Sequence, residues 1–142
     1  MKVSRTLYII KTYPYRLRHR HGYGVQSPWA YELVRDVFFE KLPYYAYKDL
    51  NLDTESKRQL WRIRNHFGDK VIVLNDDASR RYDEVAANAS ADTVVVIENL
   101  TGQNALLWNR ILTDHRCTVT FDLVNRGVVT FDRKRIKQNY TL

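Results

Sequence analysis

A chain of 142 residues with a single cysteine, Cys117, excludes an internal disulfide framework and is long enough for one domain with its own core. No apolar run reaches the roughly 18 residues of a membrane span and no secretory leader is visible, so the expectation is a soluble cytoplasmic protein without a membrane partner. The net charge of +7 is uneven: residues 1–31 carry Lys2, Arg5, Lys11, Arg16, Arg18 and Arg20 with no acid, and Arg133, Lys134, Arg135 and Lys137 form a second basic cluster.

Val3, Leu7, Tyr8 and Ile10 recur at helical spacing, which predicts a short helix over residues 1–13, ended by Pro14. Arg16 to Gln26, with Gly22 and Gly24 around Tyr23, reads as an exposed irregular connector. Ser27-Pro28 is a strong helix start, because Ser can cap an orphan N–H and Pro loses nothing at the first helical position. Trp29, Ala30, Leu33, Val34, Val37 and Phe38 then give residues 28–40 one apolar face. Pro43 closes that segment, and Tyr44, Tyr45 and Tyr47 form an aromatic patch suited to a protein contact. Asp53 or Thr54 caps a second helix through Phe67, with Leu60, Ile63 and Phe67 inward and Gly68 as its stop.

Val71-Ile72-Val73-Leu74 is a short apolar run without alternation, the pattern of a strand buried on both faces. Thr93-Val94-Val95-Val96-Ile97 is a second and purer one, read as the central strand. Between them Tyr82, Val85, Ala86 and Ala89 mark a crossover helix over 79–89, whose right-handed connection makes the two strands parallel. A helix over 103–112 follows with Ala105, Trp108, Ile111 and Leu112 toward the sheet. The period then changes to two in Thr118 to Leu123 and in Val128 to Phe131, joined by Asn125-Arg126-Gly127 as a hairpin, and Gln138 to Leu142 can add a short extended piece. The expected fold is α/β: a small mixed sheet of about four strands, ordered 71–74, 93–97, 128–132, 117–123, with helices on its faces. It forms a single domain, with residues 1–68 an N-terminal helical lead-in and 69–142 the α/β core.

His21-Gly22-Tyr23-Gly24-Val25-Gln26-Ser27-Pro28-Trp29 with Tyr44-Tyr45-Ala46-Tyr47, and Val94 to Asn99, Trp108, Val119 to Leu123 and Gly127 to Phe131, resemble the two ends of class I S-adenosylmethionine-dependent O-methyltransferase-like proteins of a Bacteroidetes type. The matching blocks cover roughly residues 15–70 and 91–142. The resemblance implies a reduced Rossmann-like sheet. It breaks where the cofactor would bind, because the first strand runs into Asn75-Asp76-Asp77-Ala78-Ser79 and no glycine lies between Gly68 and Gly102. Residues 75–92 hold one helix where that family has several alternating elements, so the resemblance implies an internal deletion and loss of the cofactor site. The function expected on that basis is a catalytically inactive binding or interaction module without cofactor, forming a homodimer over whatever sheet edge the deletion exposes and meeting an unidentified protein partner.

Two alternatives remain open at this stage. A minimal methyltransferase would hold S-adenosylmethionine through Asn75, Asp76 and Ser79 and place Asp76, Asp77, Glu98 and Asn99 near the methyl acceptor. Glu98-Asn99 resembles the acid–Asn pair of metal-dependent catechol-type members, so Asp77, Glu98 and Asn99 would be the Mg²⁺ ligands. The plainer use of these residues is capping strand ends and helix starts. A nucleic-acid-binding protein would use Arg16, Arg18, Arg20, Arg133, Lys134 and Arg135, with Tyr8, Tyr13, Tyr15 and Tyr23 as stacking platforms. The bland reading of that charge is a solvated basic face. His19 and His21 lack a third ligand and read as structural or solvated, and Cys117 as a small buried hydrophobe.

Overall fold

The computed structural model describes residues 4–22 and 24–142, so Lys2, Val3 and Tyr23 lie outside the described residues. It divides into two compact units, Met1–Arg16 with Lys70–Leu142, and Leu17–Asp69. Helix α1, Arg5–Arg20, contains Pro14 and continues past it, so the helix expected to stop at Tyr13 is longer and Arg16 to Arg20 are helical rather than an irregular connector. Proline removes one helical hydrogen bond. Thr12 Oγ1 donates to the Tyr8 carbonyl at 2.8 Å and accepts from Arg16 Nε at 2.9 Å, tying the turns on either side together.

Within Leu17–Asp69, α2 (Pro28–Leu33) starts as expected, with Ser27 Oγ accepting from the Ala30 N–H at 3.3 Å. It runs directly into a π-helical turn, Val34–Phe38. After the short α3 (Tyr45–Asp49), α4 (Glu55–Phe67) is capped by the Thr54 hydroxyl and closed by Gly68 at φ 72°. Its inward residues are Gln59, Arg62 and Ile63, while Leu60 and Phe67 are only half-buried. The reason is the π turn, whose last carbonyls need donors: Arg62 donates to Val37 O at 2.6 Å and Phe38 O at 2.9 Å, and Gln59 to Phe38 O at 3.0 Å. The tyrosine patch divides. Tyr47 is buried, with its ring edge-on to Tyr44 and Trp61, and Tyr45 is 92% exposed.

The other unit is an α/β fold built on a five-stranded mixed sheet: β1 (Val71–Leu74), β2 (Val94–Glu98), β3 (Val119–Asp122), β4 (Arg126–Thr130) and β5 (Gln138–Thr141), ordered β1-β2-β4-β3-β5. The four expected strands are present in the expected order, and the tail becomes a fifth, parallel to β3. β2 is interior, but β4 holds the middle position. β1 and β2 pair in parallel from Val71↔Val94 to Leu74↔Ile97, and the crossover is α5 (Ala78–Ala87) alone. Helix α6 (Gly102–Ile111) returns the chain to the hairpin. Ile72, Leu74, Val95, Ile97 and Val129 pack with Tyr82, Ala86, Leu107, Trp108 and Ile111 in one core under α5 and α6.

The hairpin turn sits earlier than its sequence suggested. Arg126 and Gly127 belong to β4, and the chain reverses at Leu123-Val124-Asn125 with Val124 at φ 76°. Gly127 is needed for space rather than for a turn: a Cβ there would lie 2.2 Å from Trp108 Cζ3. Glycine in a strand often marks such a close approach. Gly127→Ala is expected to destabilise the protein by about 1–3 kcal/mol through overpacking in urea unfolding, although Gly→Ala at an unstrained site stabilises.

Candidate functional site

In an open α/β sheet ligands gather beyond the carboxyl ends of the parallel strands, which makes the ends of β1 and β2 the first place to look. Asn75, after β1, and Asn99, after β2, meet there: Asn99 Nδ2 donates to Asn75 Oδ1 at 2.9 Å. Asn99 reaches it from a left-handed backbone, φ 52°, a conformation Asn tolerates better than most residues. From α6, Asn104 Nδ2 donates to the carbonyls of both Asn75 and Glu98 at 2.9 Å, joining the two strand ends. Asn104 is buried and was missed in the sequence, where an amide in the first turn of a helix looks like surface.

Two carboxylates at this end, Glu98 and Asp77, pair with arginines. Glu98 accepts from Arg126 Nε at 2.7 Å and Nη2 at 3.1 Å, a two-point pair between neighbouring strands. Asp77 pairs with Arg81 at 2.9 Å and accepts the Asn75 N–H at 3.1 Å; these two contacts, the first the larger, hold its carboxyl below the usual carboxylate range. Asp76 and Ser79 are exposed.

The groups that resemblance would bring here do not fit these residues. The Asn75 N–H and the Ala78 N–H are spent inside the loop itself, the second on the Asn75 carbonyl at 3.0 Å, and the Asn75 side chain is taken by Asn99. No glycine opens the backbone to S-adenosylmethionine. For Mg²⁺, Asp77 and Glu98 face guanidinium groups, and among the described residues no three His, Cys, Asp or Glu side chains come together as a metal set.

The basic residues have different surroundings. Arg16 is fully buried; Arg18 is exposed; Arg20 is half-buried with its guanidinium 5.2 Å from the Phe39 ring centroid. Arg133 and Lys134 are exposed, and Arg135 lies 3.8 Å from Asp132. Arg16 grips Asp122 beside the start of β4, whereas Arg133 to Arg135 follow its end, so these groups stand at opposite ends of the sheet. His19 is buried and His21 exposed. Cys117 is buried with Sγ against the Ile111 and Asp114 carbonyls at 3.4 Å, and burial pushes its thiol pKa up.

A second polar centre was not anticipated. Asp122, at the end of β3, accepts from Arg5 Nη1 at 2.8 Å, Arg5 Nη2 at 2.9 Å and Arg16 Nη1 at 3.1 Å. Arg16 also donates to the Leu142 carbonyl, and Arg5 to the Val124 carbonyl. Both guanidinium groups lie 5.7 Å from the Tyr8 ring centroid. Beside this cluster a cavity of about 480 Å³ opens between α1 and α6, lined by Arg5, Tyr8, Leu106, Trp108, Leu112 and Asp122 among others. Trp108 is 1% exposed, and its Nε1–H finds no acceptor among the described residues, nor does the buried Arg5 Nε–H. A buried donor left unpaired costs about 1–3 kcal/mol.

No family model matches this chain, and no curated protein or solved structure matches it.

Burial pushes the Asp122 carboxyl up, but the hydrogen bonds from Arg5 and Arg16 outweigh it and the net pKa is lowered. Its contribution to stability is therefore whole above the ordinary carboxylate value near about pH 3.9 and is lost as pH falls through the lower folded value. Asp122→Asn is expected to lose stability at neutral pH and to show a flatter fall below about pH 4 than the parent in urea titrations. Equal slopes for the two proteins would contradict this.

Proposed function

We propose that this chain is a methyltransferase-like binding module on a reduced Rossmann-like sheet, without a cofactor site, that self-associates through the outer edge of β1. The supporting observation is β1 itself. It is Val71-Ile72-Val73-Leu74, wholly apolar, and among the described residues it pairs only with β2. Its first three residues are half-buried rather than buried. A short apolar strand with one unpaired edge is a template for pairing with another chain, and natural edge strands usually carry charge or Pro to prevent that. This one carries neither. Two copies joined edge to edge about a two-fold axis would satisfy both rows of backbone groups with the same surface.

The closed strand ends support the absence of methyl transfer. Asn75, Asn99 and Asn104 bond to one another's groups, and Glu98 to Arg126, where a cofactor and acceptor would have to enter.

Light scattering on the eluting protein is expected to give twice the chain mass of 16.9 kDa. Val71→Lys, which puts a charge at the start of the edge, is expected to give the monomer with an unchanged far-ultraviolet circular dichroism spectrum. A parent that stays monomeric to about 100 µM, or a Val71→Lys dimer, would overturn the edge-pairing reading.

A further inference from the structure

We propose that the β1 edge takes a single register against a second copy of this chain, with Val73 on the two-fold axis and Lys70 of each copy paired to Asp76 of the other. This rests on the edge-pairing reading above and adds the charges that choose the register. β1 is apolar from Val71 to Leu74, and an apolar edge by itself specifies register weakly. The residues that bound it are of opposite sign: Lys70 directly precedes the strand and Asp76 lies just past its end. Both are exposed, and among the described residues neither side chain has a hydrogen bond or an ion pair. Asp77 differs, since Arg81 already holds it at 2.9 Å.

Symmetry leaves few registers. A two-fold axis perpendicular to the sheet pairs the two edges antiparallel and joins each face of one sheet to the same face of the other. Opposed residues therefore share a face, and because side chains alternate between faces, one residue of β1 must stand opposite its own copy. With Val73 in that place, Ile72 meets Leu74, Val71 meets Asn75, and Lys70 meets Asp76 at both ends. With Ile72 there, Lys70 stands against Leu74; with Leu74 there, Asp76 stands against Ile72; with Val71 there, Lys70 stands against Ile72. Opposite charges directly across an antiparallel pair are favourable, and only the Val73 register provides them. The next residues out, Asp69 and Asp77, are of like sign, but Asp77 is held by Arg81 and Asp69 lies in the 3₁₀ turn Gly68–Lys70, outside the strand.

The test is sedimentation equilibrium of the full chain and its charge-reversed variants at about 50 mM salt, where surface charge is little screened. Lys70→Asp and Asp76→Lys are each expected to raise the dimer Kd at least about tenfold, since each sets like charges across both ends. An equimolar mixture of the two variants is expected to return to within about threefold of the parent Kd, because Lys70 of one then meets Asp76 of the other and the introduced carboxylate meets the introduced ammonium. A fold damaged by either substitution would not recover on mixing, so the recovery separates an interface from a structural role. In a second arm, Val73→Cys oxidised with copper phenanthroline is expected to give a disulfide-linked dimer, and Ile72→Cys to give none. A dimer indifferent to both reversals, a mixture that stays dissociated, or a link formed from Ile72→Cys and not from Val73→Cys would overturn the register while leaving the dimer mass of the parent in place. A monomeric parent or a dimeric Val71→Lys protein would overturn the edge reading and the register with it.

Discussion

A carboxylate buried between two guanidinium groups sets the arrangement of the sheet unit. Asp122 joins the N-terminal helix to the end of β3 through Arg5 and Arg16, and Arg16 extends the join to the backbone oxygen of Leu142. The same carboxylate takes the N–H of Val124, and Arg5 takes its carbonyl. A β-branched residue at φ 76° is costly, about 1–2 kcal/mol, and these two bonds hold it there. Removing Asp122 would strand a fully buried cation, so the cluster is better understood as fixing one geometry than as a source of net stability.

This cluster also inverts the usual amphipathic helix. In α1 the buried or half-buried residues are Arg5, Ile9, Thr12, Arg16, His19 and Arg20, mostly polar, while Ile10 and Tyr13 are 63% and 54% exposed. The periodicity that predicted a helix was real, but its apolar stripe does not mark the buried side. Hydrophobic spacing identifies the helix and says which side is buried only when the core is apolar where the helix lands.

The same limit explains what the sequence disclosed elsewhere. β2 was legible because a strand buried on both faces is apolar at every position, and Val94 to Ile97 are all buried; β1, an edge strand, was legible by the same unbroken apolar run although its first three residues are only half-buried. β5 was harder, since Gln138-Asn139-Tyr140-Thr141 is polar at an edge where only Tyr140 packs, its ring stacked 5.4 Å from Phe121. Arg16 resembled a surface charge because nothing local distinguishes an arginine that meets Asp122 across 106 residues from one that meets water. Gly127 resembled a turn glycine because its neighbour Asn125 is a turn former, whereas its reason is the Trp108 ring, which comes from another element. At the strand ends the sequence singled out Asn75, Glu98 and Asn99 and left open whether they met a ligand or capped strand ends and helix starts. The contacts they make run to Asn104 and Arg126, whose positions exist only once α6 and β4 are in place.

These strand ends are closed by their own side chains, and the proposed function has them hold no methyl donor. Calorimetric titration of the full chain with S-adenosylmethionine and S-adenosylhomocysteine, with and without Mg²⁺, tests it most directly. The expected result is no heat of binding up to about 1 mM ligand from a folded protein. Saturable binding near about 10 µM, lost on substituting Asn75 or Asp77, would contradict it and return the loop between β1 and α5 to the role of a cofactor site.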